Sequence, residues 1–142
     1  MVKDMEYDRI KYYEIDEKRR KEIIERVTSF LSRFRRIKLA YIFGGFTRRD
    51  FVRDVDVAVY AVKPLNLKEL LKLGGELEAE LRIPVDLVPL EELSPAFRFK
   101  ILSEGIPVLI RDKVLHHSLL CQAFSEMQDL KISFRLAGHP TP

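Results

Sequence analysis

Two aspartates separated by one valine, Asp54 and Asp56, are the residues of this sequence best suited to chemistry. They open the stretch Val55–Val62, whose alternating apolar residues predict a β-strand. Side chains two apart on a strand point to the same face and lie about 6.6 Å from each other along it. Neighbouring carboxylates repel unless a proton or a cation separates them, and hard oxygen ligands favour Mg²⁺ or Mn²⁺. The pair is consistent with a metal site, although an isolated Asp-x-Asp is more often a strand end that meets solvent.

A third acid, Asp86, interrupts the apolar stretch Val85–Leu90, which predicts another strand. An unpaired charge inside such a strand is costly, whereas a lone aspartate is otherwise typical of an edge position. If the two acidic strands are neighbours, the three carboxylates lie together. A metal site then explains them better than three unrelated surface acids.

The third candidate element is a glycine pair, Gly44-Gly45, which ends the predicted strand Ile37–Phe43 ten residues before Asp54. Glycines let backbone N–H groups approach phosphate closely, and a following helix would direct its positive end to the same place. A glycine pair alone most often only turns the chain. This pair gains weight because it precedes two carboxylates that could hold Mg²⁺ on the same phosphates.

Charge is unevenly distributed along the sequence. Residues 1–50 hold 14 Lys and Arg against 9 Asp and Glu, and the remaining residues hold 11 against 13. The basic excess peaks at Arg33, Arg35, Arg36 and Lys38, and Arg48 and Arg49 follow. Such a run is either a solvated helix end, where cations are favourable, or a positive rim for a polyanion such as a nucleoside triphosphate.

The composition excludes several classes of protein. With 142 residues, 46% hydrophobic and 33% charged, the chain fits one domain, residues 1–142, and not a disordered chain. Its longest stretch without Asp, Glu, Lys or Arg, Val114–Ser125, is too short for a membrane span, and no secretory signal is visible. One cysteine forbids an internal disulfide. We therefore expect a cytoplasmic protein without membrane contact, and a net charge of +3 is too small to argue for nucleic acid.

The elements that must position these residues follow from apolar spacing and capping residues. Helices are predicted over about 16–35, 67–81, 95–104 and 113–136, and the strands 37–43, 55–62, 85–90 and 106–110 alternate with them. Gly74-Gly75 allows a kink in the second helix. This order predicts an α/β (α+β) fold, a small mixed β-sheet of about four strands flanked by helices. The last helix is apolar beyond one narrow stripe, which favours a partner protein or a homo-oligomer.

Three stretches together carry a family resemblance: Phe-Gly-Gly-Phe-Thr-Arg-Arg-Asp at 43–50, Asp-Val-Asp-Val at 54–57 and Val-Asp-Leu-Val at 85–88. In this combination the sequence resembles the DNA polymerase β-like nucleotidyltransferase superfamily. Within it, the sequence is most similar to the minimal nucleotidyltransferases, the MNT antitoxins of HEPN–MNT toxin–antitoxin pairs. The likeness covers about residues 37–112, including the stretch Leu93–Asp112.

The resemblance implies a function and assigns residues to it. Gly44, Gly45 and Arg48 would bind the nucleotide. The catalytic acids Asp54, Asp56 and Asp86 would hold two Mg²⁺ ions, and Asp86 would help to activate the attacking hydroxyl. Members of the antitoxin group transfer AMP from ATP to a tyrosine of their HEPN partner and so silence that RNase. The expected partners are therefore ATP and a HEPN-type toxin.

The sequence departs from the family pattern in the glycine loop. Relatives usually have serine at the position of Gly45, many have glycine at that of Arg49, and their segment before the first aspartate is about two residues longer. An alternative function is therefore a catalytically weak or inactive antitoxin that neutralises its partner by binding alone. A basic nucleic-acid-binding module is a third possibility, for which paired acids on a strand make little sense.

Overall fold

The structure, a computed structural model, describes residues 11–138 and contains six strands and four helices in that part of the chain. In chain order the strands are β1 (Tyr13–Glu14), β2 (Ile37–Phe43), β3 (Phe51–Val52), β4 (Val55–Ala61), β5 (Val85–Pro89) and β6 (Ile106–Ile110). The helices are α1 (Glu17–Leu31), α2 (Leu67–Leu81), α3 (Pro95–Glu104) and α4 (Lys113–Leu136). Short 3₁₀ turns follow β2 and β5, at Gly44–Thr47 and Leu90–Glu92.

The main sheet has four strands in the order β5-β4-β2-β6 and is mixed, as the sequence predicts. Strands β4 and β5 are parallel, whereas β2 runs antiparallel to both β4 and β6. The register places Asp56 opposite Asp86 on one side and opposite Phe43 on the other. The acidic positions and the end of β2 therefore meet at one end of the sheet.

The two faces of the sheet pack against different helices. Val55, Val57 and Val59 of β4 belong to the core that includes buried residues of α1 and α2. The other face, represented by Ala58, packs against buried residues of α3 and α4. Because side chains alternate along a strand, Asp56 points to the α3 side.

Helix starts lie where capping residues predict them, whereas α1 ends at Leu31, before the predicted end at about residue 35. The Asp16 side chain accepts a hydrogen bond from the backbone N–H of Arg19 at 2.6 Å, and Asn66 forms a capping box with Glu69. Helix α2 continues through Gly74 without a break. A β-carbon on Gly74 would lie 3.8 Å from that of Leu87, because this helix packs closely against β5.

The basic run after α1 is structural and not a rim of the acidic site. α1 ends at Leu31, so the run lies beside the first residues of β2, at the opposite end of that strand from Gly44. Arg33 forms an ion pair with Glu80 at 3.3 Å, and Arg36 pairs with Glu69 at 2.5 Å. Arg33 and Arg36 tie the α1–β2 connection to α2, and of the two alternatives for the run the positive rim is the one that these ion pairs do not support.

Two strands escape prediction because each has only two residues. β1 pairs antiparallel with β3, which places Tyr13 opposite Val52 and ties the segment before α1 to the loop before Asp54. The backbone N–H of Ile15 donates to Asp50 at 2.6 Å and extends this connection. Across residues 11–138, no helix has both the length and the apolar composition to cross a membrane.

Candidate active site

Three carboxylates lie at the end of the sheet where β4 and β5 begin. Asp54 directly precedes β4, Asp56 is its second residue, and Asp86 is the residue paired with Asp56 on the parallel strand β5. The Asp54 and Asp56 side chains are close enough for a hydrogen bond when one of the two is protonated. Asp86 is exposed on an edge strand, so its charge does not carry the burial cost that the sequence suggests.

The electrostatics of Asp56 reflect this crowding of negative charge. Its pKa is raised to about 6, first by burial and then by the charges of Asp54 and Asp86 and the hydrogen bond with Asp54. Burial and like charges both disfavour the ionised form. The carboxylates therefore form a site that would gain from a bound cation.

The glycine loop is built directly against Asp56. The strand β2 ends at Phe43, and Gly44 begins the 3₁₀ turn with a φ of +77°, in the left-handed region that favours glycine. A β-carbon on Gly44 would overlap the Asp56 carboxylate oxygen, whereas one on Gly45 would meet only Arg49 and Val52 at ordinary distances. The glycines themselves begin this single turn, and β3 follows it without an intervening α-helix.

Backbone atoms of the loop are partly used within it. The Thr47 hydroxyl donates to the Gly44 carbonyl at 2.8 Å. The N–H groups of Arg48 and Arg49 both donate to the Gly45 carbonyl, at 3.1 and 2.9 Å. These hydrogen bonds hold the backbone of the turn, so the exposed side chain of Arg48 extends from a fixed backbone.

Arg20 of α1 holds the same loop from outside, a role that the sequence does not reveal. Its Nη1 donates to the carbonyl of Phe46 and its Nη2 to the carbonyl of Arg49, the latter at 2.9 Å. The guanidinium also lies 4.7 Å from the centre of the Phe46 ring, within the range of a cation–π contact. No local pattern could predict a partner 26 residues along the chain.

A cavity of about 400 Å³ opens between the loop and α3. Of the predicted site residues, Gly44, Arg48 and Asp56 line it, and Gly45, Asp54 and Asp86 are not among its lining residues. The opposite wall comes from α3 and the residue after it, and consists of Phe97, Lys100, Ile101, Glu104 and Gly105. This size is within the range typical of small-molecule sites. We therefore take this cavity as the candidate nucleotide pocket.

A second cavity of about 390 Å³ lies beside α1 and the Arg82 turn, away from the three aspartates. Two of its charged residues are paired with each other, because Arg19 lies 3.0 Å from Glu22, and Arg19 also donates to the Leu81 carbonyl at 2.7 Å. None of the predicted site residues lines it. The cavity that contains Asp56 therefore remains the candidate site.

The carboxylates fit a cation that is shared with a ligand. Among the residues that the structure describes, no three Asp, Glu, His or Cys side chains form a ready-made metal cluster. Mg²⁺ seldom uses such an all-protein cage and is usually held by one or two carboxylates together with substrate phosphates. An open pair such as Asp54 and Asp56 beside a glycine loop is this kind of donor set.

Comparison with protein families agrees with this arrangement. The family model described as Polymerase beta, Nucleotidyltransferase matches residues 25–114. "Putative protein adenylyltransferase MJ0435" of Methanocaldococcus jannaschii is 32% identical over 75 residues, which cover 51% of this chain and 81% of that protein. The matched family segment includes the glycine loop and all three aspartates.

Solved structures show the same fold. A chain of the toxin–antitoxin MntA–HepT has a TM-score of 0.68 at 20% identity, covering 82% of this chain and 94% of that one. A chain of a toxin–antitoxin structure with AMP-PNP has 0.70 at 21%, covering 80% and 94%. A chain of the tri-AMPylated Shewanella oneidensis HEPN toxin in complex with its MNT antitoxin has 0.69 at 20%, covering 83% and 94%.

Proposed function

The chain belongs to the polymerase beta nucleotidyltransferase family, and from this premise we propose that it transfers AMP from ATP to a hydroxyl group of a partner protein. The observation that carries the proposal is the contact between the glycine loop and Asp56, in a cavity beside two further carboxylates. The name of the Methanocaldococcus relative and the AMP-PNP bound in a structural neighbour support this choice of donor and reaction.

The proposed partner is a HEPN-type toxin, and the proposed acceptor is a tyrosine of that toxin. Structural neighbours of this chain come from complexes with such toxins, one of them tri-AMPylated. Helix α4 supports a docking role, since only Ala123 of its 24 residues is buried and Ile132 is 54% exposed. Self-association through the same helix is the competing use of this surface. Whether α4 binds the toxin or a second copy of this chain, the proposed role of the protein is that of an antitoxin in the cytoplasm.

Each residue of the site has a distinct task in this proposal. The backbone of Gly44 and Gly45 and the guanidinium of Arg48 bind the phosphates, as glycine loops and arginines do elsewhere. Asp54 and Asp56 would hold Mg²⁺, with Asp86 completing a site for two ions. When bound, Mg²⁺ neutralises the phosphate charge that builds up during transfer.

The transfer itself is a displacement at the α-phosphorus of ATP. The acceptor oxygen forms a bond to that phosphorus. The bond between the α-phosphorus and the oxygen that bridges it to the β-phosphorus breaks, and pyrophosphate leaves. Asp86 would accept the hydroxyl proton, because it is exposed on the edge strand β5 where a protein acceptor can reach it.

The direct test is transfer of labelled AMP. We expect that α-³²P-ATP, Mg²⁺ and the purified protein label a HEPN-type protein encoded beside it, and that Asp56→Asn abolishes this labelling. Asp50→Asn is the matched control, since Asp50 is exposed and close to the loop but lies outside the cavity. Labelling that is equal in wild type and Asp56→Asn would contradict the proposal.

The second candidate function is neutralisation by binding alone, and Gly45 is the observation that favours it. A loop without a hydroxyl at this position has one phosphate contact fewer than a Gly-Ser loop. If wild type and Asp56→Asn protect cells from the toxin equally and neither labels it, this function replaces the transfer.

A further inference from the structure

We propose that α3 forms the second wall of the nucleotide pocket, with Lys100 contacting the polyphosphate and Phe97 packing against the base. This inference rests on the proposed function, because it places the same ATP in the cavity that holds Asp56. It assigns the direction of the nucleotide and two binding residues outside the glycine loop and the three aspartates.

The spacing of α3 residues creates this wall. Phe97, Lys100, Ile101 and Glu104 line the cavity at intervals of three and four, which places them on one face of the helix. Ile101 is only 1% exposed and anchors this face to the sheet. Phe97 and Lys100 flank it and are both exposed. The helix is therefore fixed while two of its side chains remain available to a ligand.

Lys100 is a cation without a counter-charge among the residues that the structure describes. Within residues 11–138 neither Lys100 nor Arg48 takes part in an ion pair, although both line the cavity, and Glu104 one turn away does not pair with Lys100. Two unpaired cations on opposite walls suit an anion between them. The β- and γ-phosphates of ATP are such an anion, since the α-phosphate must lie beside Asp56.

Phe97 supplies the apolar part of the wall. Its ring is 43% exposed and meets Phe43 edge to face, with ring centres 5.5 Å apart. Phe43 of β2 is paired with Asp56 of the neighbouring strand β4. The pair of rings, Phe43 and Phe97, therefore lies next to the expected position of the α-phosphate. Every base has a π-face that can stack on an exposed aromatic ring. The nucleoside would therefore extend towards Phe97 and the polyphosphate towards Lys100 and Arg48.

Three probes separate the two roles: ATP, AMP and inorganic tripolyphosphate, each titrated in the presence of Mg²⁺ by calorimetry. Lys100→Ala should weaken binding of ATP and tripolyphosphate about tenfold and leave AMP binding within about twofold, because it removes a charged hydrogen-bond donor to the β- and γ-phosphates. Phe97→Leu should weaken binding of ATP and AMP about fivefold and leave tripolyphosphate binding unchanged, because it removes the ring on which the base stacks.

Lys68→Ala is the matched control, an exposed lysine on α2, which packs against the other face of the sheet. It should bind all three probes as wild type does, and thermal unfolding should show that the variants remain folded. Unchanged binding of tripolyphosphate to Lys100→Ala, or equal loss of tripolyphosphate and ATP in Phe97→Leu, would overturn the inference. If either of these results is obtained while wild type binds ATP and labels its partner, the proposed function survives. A wild-type protein that binds no ATP would refute both the inference and the proposed function.

Discussion

The Asp56 carboxylate occupies the space in which a β-carbon on Gly44 would lie. This contact joins the end of β2 to the start of β4, and the φ of +77° at Gly44 independently requires glycine. The proposed phosphate-binding loop and the proposed metal-binding acid are thus in direct contact, so a phosphate bound on the loop would lie next to the carboxylates.

Gly44→Ala should therefore damage both the fold and the transfer. The positive φ and the overlap with Asp56 together should lower the free energy of unfolding by about 1–3 kcal/mol, and displacement of the carboxylate should reduce AMP transfer at least about 100-fold. Urea unfolding and initial rates with labelled ATP measure the two effects.

Gly45→Ala is the control for this substitution. Its new β-carbon would lie 3.7 Å from Arg49 Cδ and 4.0 Å from Val52 Cγ1, which are ordinary contacts, and Gly45 is not in the left-handed region. It should unfold within about 0.5 kcal/mol of wild type, as unstrained substitutions do. Equal effects at positions 44 and 45 would mean that the contact with Asp56 is unimportant.

Asp56→Asn should make the metal-free protein more stable at pH 8. Because the folded-state pKa of Asp56 is raised to about 6 from 3.8, the folded state binds the proton more tightly than the unfolded state does. Wild-type stability therefore falls as pH rises from about 4 to above 6. We expect a gain of about 1–2 kcal/mol, smaller than the full shift would give because solvent screens a half-buried carboxylate.

Urea unfolding in EDTA at pH 4 and pH 8 tests this pH dependence. The advantage of Asp56→Asn should be present at pH 8 and shrink at pH 4, where wild-type Asp56 is largely protonated in the fold. Asp50→Asn, at an exposed position outside the cavity, should show no such change. An Asp56→Asn variant that is less stable than wild type at pH 8 would show that the buried, ionised carboxylate of Asp56 does not destabilise the fold.

Long, capped and strongly periodic elements were predictable from the sequence. The bounds of β2, α2 and α4 match the predicted 37–43, 67–81 and 113–136 because apolar spacing and caps such as Asn66 act locally. Strands β4 and β5 each end one residue earlier than predicted, which is within ordinary uncertainty at element ends.

The parts that could not be predicted depend on contacts between distant segments. A two-residue strand such as β1 has no periodicity to detect, and its pairing with β3 exists only in the folded chain. The position of Asp86 beside Asp56 was predictable once the strands were taken as neighbours, but its exposure was not. Arg20 and Lys100 reach the site only through the packing of α1 and α3, which sequence spacing does not encode.

Arg20→Ala should loosen the glycine loop. It removes two hydrogen bonds, to the carbonyls of Phe46 and Arg49, and the cation–π contact with Phe46. We expect a loss of about 1–3 kcal/mol in unfolding free energy and a raised KM for ATP, because partly buried carbonyls lose their donors. Urea unfolding and steady-state AMP transfer measure these changes.

Two further variants identify Arg20 as a positioning residue. Arg20→Lys should not restore the KM, since one ammonium group cannot reproduce the planar fork that reaches both carbonyls. Lys21→Ala, at the exposed neighbouring position, should leave KM and stability unchanged. Full rescue by lysine would show that only the positive charge matters and that the loop geometry does not depend on this fork.

Gly45→Ser should tighten ATP binding and distinguish the two candidate functions. The contacts around Gly45 leave room for a β-carbon, and a hydroxyl there could donate to a phosphate oxygen. A hydrogen bond to a charged group predicts about tenfold tighter ATP binding than in Gly45→Ala, which adds the same carbon without the hydroxyl. If Gly45→Ser labels the partner faster than wild type, the glycine limits turnover in an otherwise complete site. If serine and alanine behave alike, the phosphates do not approach this position, and the route of the nucleotide through the loop must be revised.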